Sequence, residues 1–504
     1  MSNQPGFTAS LPITAKVLIT RQLLWGAAFY GVYVLLTKFF LDELNYTEAD
    51  TIMMLGAFGA VGPVFSAVGG FFADRYIGAF RAVYIGYTVY AFGFLLLGIG
   101  AWSLNIPLSI LSIALIGYAR GLSATCPTVL LSNSFSDDRR DDFQKGLTVN
   151  YALNNLGSFA AHYLFPFFIA YIAYQGNFYI SFALMCITLA LFWIYRKQLV
   201  EVGNEHDKRP VPAKFWAIFV VGSFAMLGLV FWVFSNLHEG KYLLYALGVC
   251  AILYFVRLIF SASPAYKYKM CAVLVMLFIM ICFYFYYGQM STSMNIYAIN
   301  LMGSEILGFI PVMPESSPAF NPLWCFVLGG PMIAVYAWLE KRGMSATIPT
   351  KFAFAFLFTA IAFVLLALST QAIDASGKFS ANWILMVHFF QSIAEVIVGA
   401  LGAGFIIEMV PKSVSAFAVG LRSVALSLSG IFAAVISTKI ALPKDIELTT
   451  DVIDTVYTGY FVNLAIAAVV MFFVTLLLSK FIKHLIAKGE AIEQAQGLAV
   501  PTMS

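Results

Sequence analysis

The chain contains fourteen apolar runs, each about 20 residues or longer. Lipid offers no partner for a backbone N–H or C=O, so each run has one workable conformation, a spanning helix. A hydrocarbon core about 30 Å thick is crossed by ~20 helical residues. The runs are continuous and do not alternate polar with apolar, which excludes barrel strands. They fall at about 18–41, 49–73, 80–102, 107–134, 143–172 and 177–196, then 214–235 and 241–261, then 268–300, 319–339, 350–370, 382–409, 413–440 and 455–484. Only 11% of the residues are charged, against about 25% in soluble chains. The expected class is an all-α polytopic membrane protein.

Six runs, a pair and six more runs predict two six-helix bundles. The expected units are an N-terminal bundle over 1–200, a cytoplasmic loop and inserted helix pair over 201–265, a C-terminal bundle over 266–485, and a cytoplasmic tail over 486–504. Transporters are often built as paired bundles, with the substrate near the midplane between them. Below, the crossings of the bundles are spans one to six and seven to twelve, and the inserted pair is named separately. Of 29 Lys and Arg, 21 fall in inner loops and ends if the N-terminus is inside, four in outer loops and four within spans. This bias places both termini in the cytoplasm. No cleavable signal peptide is apparent. The six cysteines lie in apolar runs without metal-ligand spacing, so free packed thiols are expected, and no metal or cofactor.

One acid falls deep inside a run. Glu395, in VHFFQSIAEVIVGALGAG, sits mid-helix. A carboxylate at that depth costs about 2.5–3.5 kcal/mol on insertion scales, unless it is protonated, paired or facing water. Between spans two and three, GGFFADRYIGAFR places Asp74, Arg75 and Arg81 at a helix end on the basic side, where they can pair and hold a tight turn.

That stretch resembles the inter-helix signature of the major facilitator superfamily, in the form with one extra residue found in its oligopeptide transporters. GQMSTSMNIYAIN in span seven, FNPLW opening span eight, FQSIAEVIVGALG in span ten and DDRRDDFQKGLTVNYALNNLGSF entering span five are similar to the matching stretches of bacterial di- and tripeptide permeases. These are members of the proton-dependent oligopeptide transporter family. The resemblance runs from about residue 17 to 485 and implies the major facilitator fold, alternating access and a central peptide cavity. It also implies that Glu395 receives the peptide amino terminus and that Asn321 and Trp324 line the cavity. Tyr30 lies in the run matching the family's Tyr-Tyr-Gly and is placed with them. Gln289, Ser291 and Asn295 share one face of span seven by helical spacing. Cavity lining and helix-to-helix hydrogen bonding, worth about 0.6 kcal/mol each on average, both fit these amides.

The chain also departs from the family. Gln22, Trp25 and Gly26 stand where the family has the two glutamates and the arginine of its ExxER run, and Ala124 stands at its span-four lysine. Two new cations lie nearby. Arg120 is one turn before Ala124 on the same helix face, and Arg422 occupies the span-eleven position of a cavity tryptophan. Arginine at depth faces protein or water. Lys38, near the outer end of span one, can snorkel to headgroups. His162 and His388 are placed to relay protons or to bond within the bundle, and His388 lies two turns from Glu395 on the same face.

Two transport readings follow. The first is a secondary transporter of a small peptide or peptide-like solute, with Glu395 and His388 as proton-coupling candidates. The second is a carrier of an anionic solute, such as an organic polycarboxylate or carboxylate siderophore, in which two arginines face one acid and the usual proton coupling is lost. The partners expected are the small-molecule substrate, the bilayer and protons, with no nucleic acid. An intramembrane enzyme would need clustered ligands or a nucleophile with its base; HExxH, GxSxG and paired carboxylates are missing from the spans. A transporter-like sensor has no appended signalling segment to support it.

Overall fold

The computed structural model describes residues 11–495 apart from 137, 138, 345, 412, 413 and 445. Lys412, one of the 21 inner cations, and the tail residues 496–504 lie outside the described residues. Thirteen helices among the described residues are long and apolar enough to cross a membrane. Spans one to four are Ile13–Glu43, Glu48–Ile77, Ala79–Ser103 and Ile106–Asn133. The helix Asp141–Ile194 has 54 residues, a rise of about 80 Å at 1.5 Å per residue, too much for one crossing. Ala173 breaks it at φ 53°, ψ −171°, making spans five and six and, among the described residues, fourteen crossings. The inserted pair is Ala213–Ser235 and Leu237–Ser261. Spans seven to twelve are Pro264–Leu301, Pro314–Lys341, Ile348–Thr370, Asn382–Met409, Phe417–Ile440 and Thr450–Ala495. The protein is therefore an integral membrane protein. The last helix runs ten residues into the stretch expected to be a separate tail.

Apolar side chains gather into two cores. Phe29, Phe58, Tyr87, Phe178 and Phe234 belong to the first; Phe283, Tyr297, Phe356 and Phe461 belong to the second. The division falls inside the second inserted helix, between Leu244 and Phe255. That pair is thus packed into both halves.

Two spans expected to be continuous are interrupted. Span four breaks between Ser123 and Cys126, where Pro127 has no N–H to continue the ladder. Span seven ends its first helix at Gly288, passes through a 3-10 turn at Gln289–Ser291 and a non-helical Thr292 (φ −115°, ψ −98°), and restarts at Ser293.

At the end of the molecule carrying the loops after spans one, seven and eleven, polar contacts tie the bundles together. Asn295 donates to Thr37 Oγ1 at 2.9 Å. Lys38 lies 3.8 Å from Glu315. The Glu48 carboxylate accepts from Asn300 Nδ2 at 2.9 Å and from the Leu442 N–H at 2.7 Å. Tyr163 donates to Pro311 O at 2.7 Å. Between them, spans two and eleven approach closely: a Cβ on Gly56 would overlap the Ala434 Cβ.

At the opposite end, the loop after span six is a strap. Its Asp207 is buried and accepts from the backbone N–H groups of Phe80 (3.0 Å) and Arg81 (3.2 Å), capping span three, and from that of Asn204 (3.2 Å). Arg81 donates to the carbonyls of Ile77, His206, Asp207 and Arg209. Gly78, at φ 97°, makes the turn between them, a conformation glycine adopts without steric cost. Burial pushes the Asp207 carboxyl above its ordinary range, against the three N–H groups that draw it down. Asp74 and Arg75 do not join this turn as expected; both are exposed, and Arg75 lies over the Phe71 ring. The pairing partner of Arg81 is the strap rather than Asp74. Losing a cap costs about 1 kcal/mol, and orphaning buried donors costs ~1–3 kcal/mol more. Asp207→Ala should therefore lower the thermal unfolding midpoint in detergent by several degrees, while Asp74→Ala leaves it unchanged.

Candidate functional site

Polar residues at i, i+3, i+4, i+7 and i+11 of span five share one helix face: Tyr151, Asn154, Asn155, Ser158 and His162. With Glu395 of span ten and Asn321 of span eight, they line an interior cavity of about 220 Å³ between the bundles. A second cavity of about 100 Å³ adjoins it. Tyr30, Tyr33, Tyr287 and Ser291 belong to both walls. Arg120 enters the smaller one beside Phe29, Leu55 and Leu426.

Glu395 is held by neutral donors. Asn321 Nδ2 lies 2.7 Å from Oε2 and the Cys325 thiol 3.6 Å from the same oxygen. Ser392 in turn bonds Asn321, accepting from its amide at 3.2 Å and donating to its carbonyl at 3.1 Å. Among the described residues no ion pair includes Glu395. Neither Arg120 nor Arg422 bridges to it in this conformation.

The two deep arginines are placed differently. Arg120 has its guanidinium 5.0 Å above the Phe29 ring, a cation–π contact worth up to about 2 kcal/mol when desolvated. It passes Gly62 so closely that any Cβ there would overlap its Cδ. Arg422 donates from Nε to the Tyr284 hydroxyl at 2.9 Å and does not itself line either cavity; Tyr284 does.

The remaining candidates divide the same way. Tyr30 and Asn321 line the larger cavity. Trp324 does not: its Nε1 donates to Leu385 O at 2.9 Å, and its ring packs on Phe389. Gln289 and Asn295 do not share a face, because span seven breaks between them. Gln289 is fully buried, its Oε1 accepting from Ser293, Ser437 and Tyr460. Asn295 bonds Thr37 and Ser317. Of the three expected on one face, only Ser291 reaches the cavities. His388 is buried against Phe320, while His162 faces the larger cavity and bonds its own helix at Ser158 O, 2.9 Å.

The residues at the missing family charges pack instead of lining the site. Gln22 donates to Asn154 Oδ1 at 2.7 Å. Trp25 stacks on Phe29 with centroids 5.2 Å apart. A Cβ at Gly26 would come within 3.0 Å of Asn154 O, so the approach of spans one and five leaves no room for an arginine there. Arg21, counted from sequence as an inner cation, is buried with its guanidinium 5.8 Å from the Tyr87 ring centre.

The chain is similar over nearly its full length to named permeases. Dipeptide and tripeptide permease B of Salmonella typhimurium is 27% identical over 91% of this chain and 93% of its own. Its Shigella dysenteriae counterpart is 28% identical over 92% and 94%. Among solved structures, a bacterial homologue of the human drug peptide transporters PepT1 and PepT2 superposes with a TM-score of 0.82 at 22% identity, covering 94% of this chain and 99% of its own. A peptide transporter POT in complex with sulfate gives 0.79 at 22% identity, over 96% and 99%. These structures share the fold, the two-bundle major facilitator architecture. The family profile described as PTR2, POT family, matches residues 80–452. With well over half of its length matched in this way, the chain belongs to the POT family.

Proposed function

We propose that this protein is a secondary transporter, not an enzyme, that carries a di- or tripeptide across the bacterial inner membrane by alternating access. The bundles over 1–200 and 266–485 rock about the cavities, and both termini face the cytoplasm, in keeping with the Lys and Arg bias. One observation carries the reading. An acid from one bundle, Glu395, and a base from the other, Arg120, face two joined cavities, as the ends of a zwitterionic peptide require.

Glu395 receives the peptide amine, oriented by Asn321. Arg120 receives the carboxylate, replacing the charges lost at 26 and 124. Arg422 acts through Tyr284. Tyr30 forms part of the wall between the cavities. Gln289, Asn295 and Trp324 hold helices in place. Asp74, Arg75 and Arg81 serve the conformational change. The coupling proton rides on Glu395, with His388 as the second candidate. The named relatives are permeases for di- and tripeptides, which supports the peptide reading and lends none to a polycarboxylate.

Uptake of labelled dialanine into proteoliposomes tests this. Accumulation is expected when the interior is more alkaline than the outside, and a protonophore should collapse it. Absence of uptake in any gradient overturns the peptide reading. Equal uptake with and without the gradient overturns proton coupling alone.

A further inference from the structure

The two cavities differ in size and in what bounds them. The one holding Glu395 measures about 220 Å³, and amides of Asn154, Asn155 and Asn321, the Ser158 hydroxyl and the His162 imidazole stand among its tyrosine rings. The one holding Arg120 measures about 100 Å³; beside the tyrosines it shares with the larger cavity, Phe29, Leu55 and Leu426 supply apolar walls and Gly59 and Gly430 bare backbone patches. Phe29 also stacks on Phe58 and is fixed in the core at 2% exposure, as is Leu55 at 1%. The small cavity is therefore bounded by side chains with little freedom to retreat.

From this asymmetry we infer that the Arg120 cavity selects the C-terminal residue of the substrate and admits only a small one, whereas the Glu395 cavity accepts bulk at the N-terminal residue. The inference rests on the assignment of amine to Glu395 and carboxylate to Arg120. A carboxylate seated on Arg120 puts the C-terminal side chain among Phe29, Leu55 and Leu426. Glycine or alanine fits beside the guanidinium; leucine meets two immobile core residues. The N-terminal side chain projects into a space more than twice as large, lined by groups that hydrogen-bond water as readily as peptide. Peptides of one composition should then be sorted by their order.

The site can be enlarged or reduced without disturbing the fold. A Cβ on Gly430 meets nothing closer than Gly56 O at 4.0 Å, so Gly430→Ala adds a methyl at the edge of the small cavity. Leu426 is partly exposed, so Leu426→Ala removes bulk from that wall at modest cost.

The test is competition against labelled dialanine uptake by the pairs Leu-Gly and Gly-Leu, and Leu-Ala and Ala-Leu. In the wild-type protein the peptide ending in the small residue should inhibit at roughly tenfold lower concentration than its reverse. Leu426→Ala should shrink that ratio to threefold or less by improving the reverse peptides. Gly430→Ala should widen it, while Leu-Gly still competes. Equal inhibition by both orders, or a preference for the large C-terminal residue, overturns the inference while leaving the peptide reading intact. Failure of all four to compete overturns the end assignment and the inference with it.

Discussion

Glu395→Gln will lower kcat/KM for dialanine uptake by at least about 30-fold without lowering thermal stability. The side chain keeps its shape, and its remaining carbonyl oxygen can still accept the 2.7 Å bond from Asn321. Folding is therefore spared. Binding is not, because in the proposed mode the ammonium of the peptide loses its charged partner in a cavity walled by Tyr30, Tyr33, Tyr151 and Tyr287. Truncating one member of a desolvated charge pair costs roughly 2–5 kcal/mol, and 1.36 kcal/mol corresponds to a factor of ten. N-acetylated dialanine supplies the internal control. It should compete poorly in the wild type, and its disadvantage should nearly vanish in Glu395→Gln. If the variant retains wild-type kcat/KM within threefold, the amine is received elsewhere.

Charge reversal at Lys38 should open the tied end of the molecule and stop transport; the compensating swap should restore both. Glu315 is almost wholly shielded, with 3% of its side chain exposed, and Lys38 is its cationic neighbour at 3.8 Å. Lys38 also lies 3.5 Å from Asp42. Lys38→Glu brings three carboxylates together. Breaking a fully buried pair costs about 3–5 kcal/mol. Lys38 is 30% exposed, so a smaller effect of about 1–3 kcal/mol is expected, a 5- to 150-fold shift in the ratio of closed to open forms. Ser316 is fully buried beside Glu315, so a Ser316→Cys reporter reads the state directly. An impermeant maleimide should label it at least fivefold faster in Lys38→Glu and at the original rate in Lys38→Glu with Glu315→Lys, and uptake should follow in the opposite sense. Labelling that ignores both changes would remove this pair from the closure.

The crossings were legible because a run of 20 apolar residues has few alternatives. Glu395 and Arg120 were legible for the related reason that charge in lipid demands a use. What lay beyond reach was long-range pairing. Asp207 reaches Phe80 across 127 positions, and no local pattern in the strap announces a cap for another helix. Lys38 read as a snorkelling lysine because Glu315 is distant in sequence and sits in a turn. The shared face expected of Gln289 and Asn295 fails, since helical spacing presumes an unbroken helix and Thr292 breaks it; helix-to-helix hydrogen bonding, the other reading open for these amides, is what the structure shows. The burial of Arg21 was likewise out of reach, because its aromatic neighbour Tyr87 is distant in sequence. One signal was present and unused. Tyr151, Asn154, Asn155, Ser158 and His162 recur at helical period in an otherwise apolar run, and that stripe marks the cavity wall as clearly as Glu395 does.

The contact between Gly56 and Ala434 bears on how the two halves move. Where two bundles pack this closely at one place, a turn about that place moves each part of the site in proportion to its distance from it. Gly56, in that contact, and Gly430, one turn from Ala434, also wall the Arg120 cavity; the Glu395 cavity is bounded by neither. A lever of this shape swings the acid end of the site through a wider arc than the basic end. In the proposed binding mode, such a turn would hold the peptide near the axle by its carboxylate and let it go first at its amine.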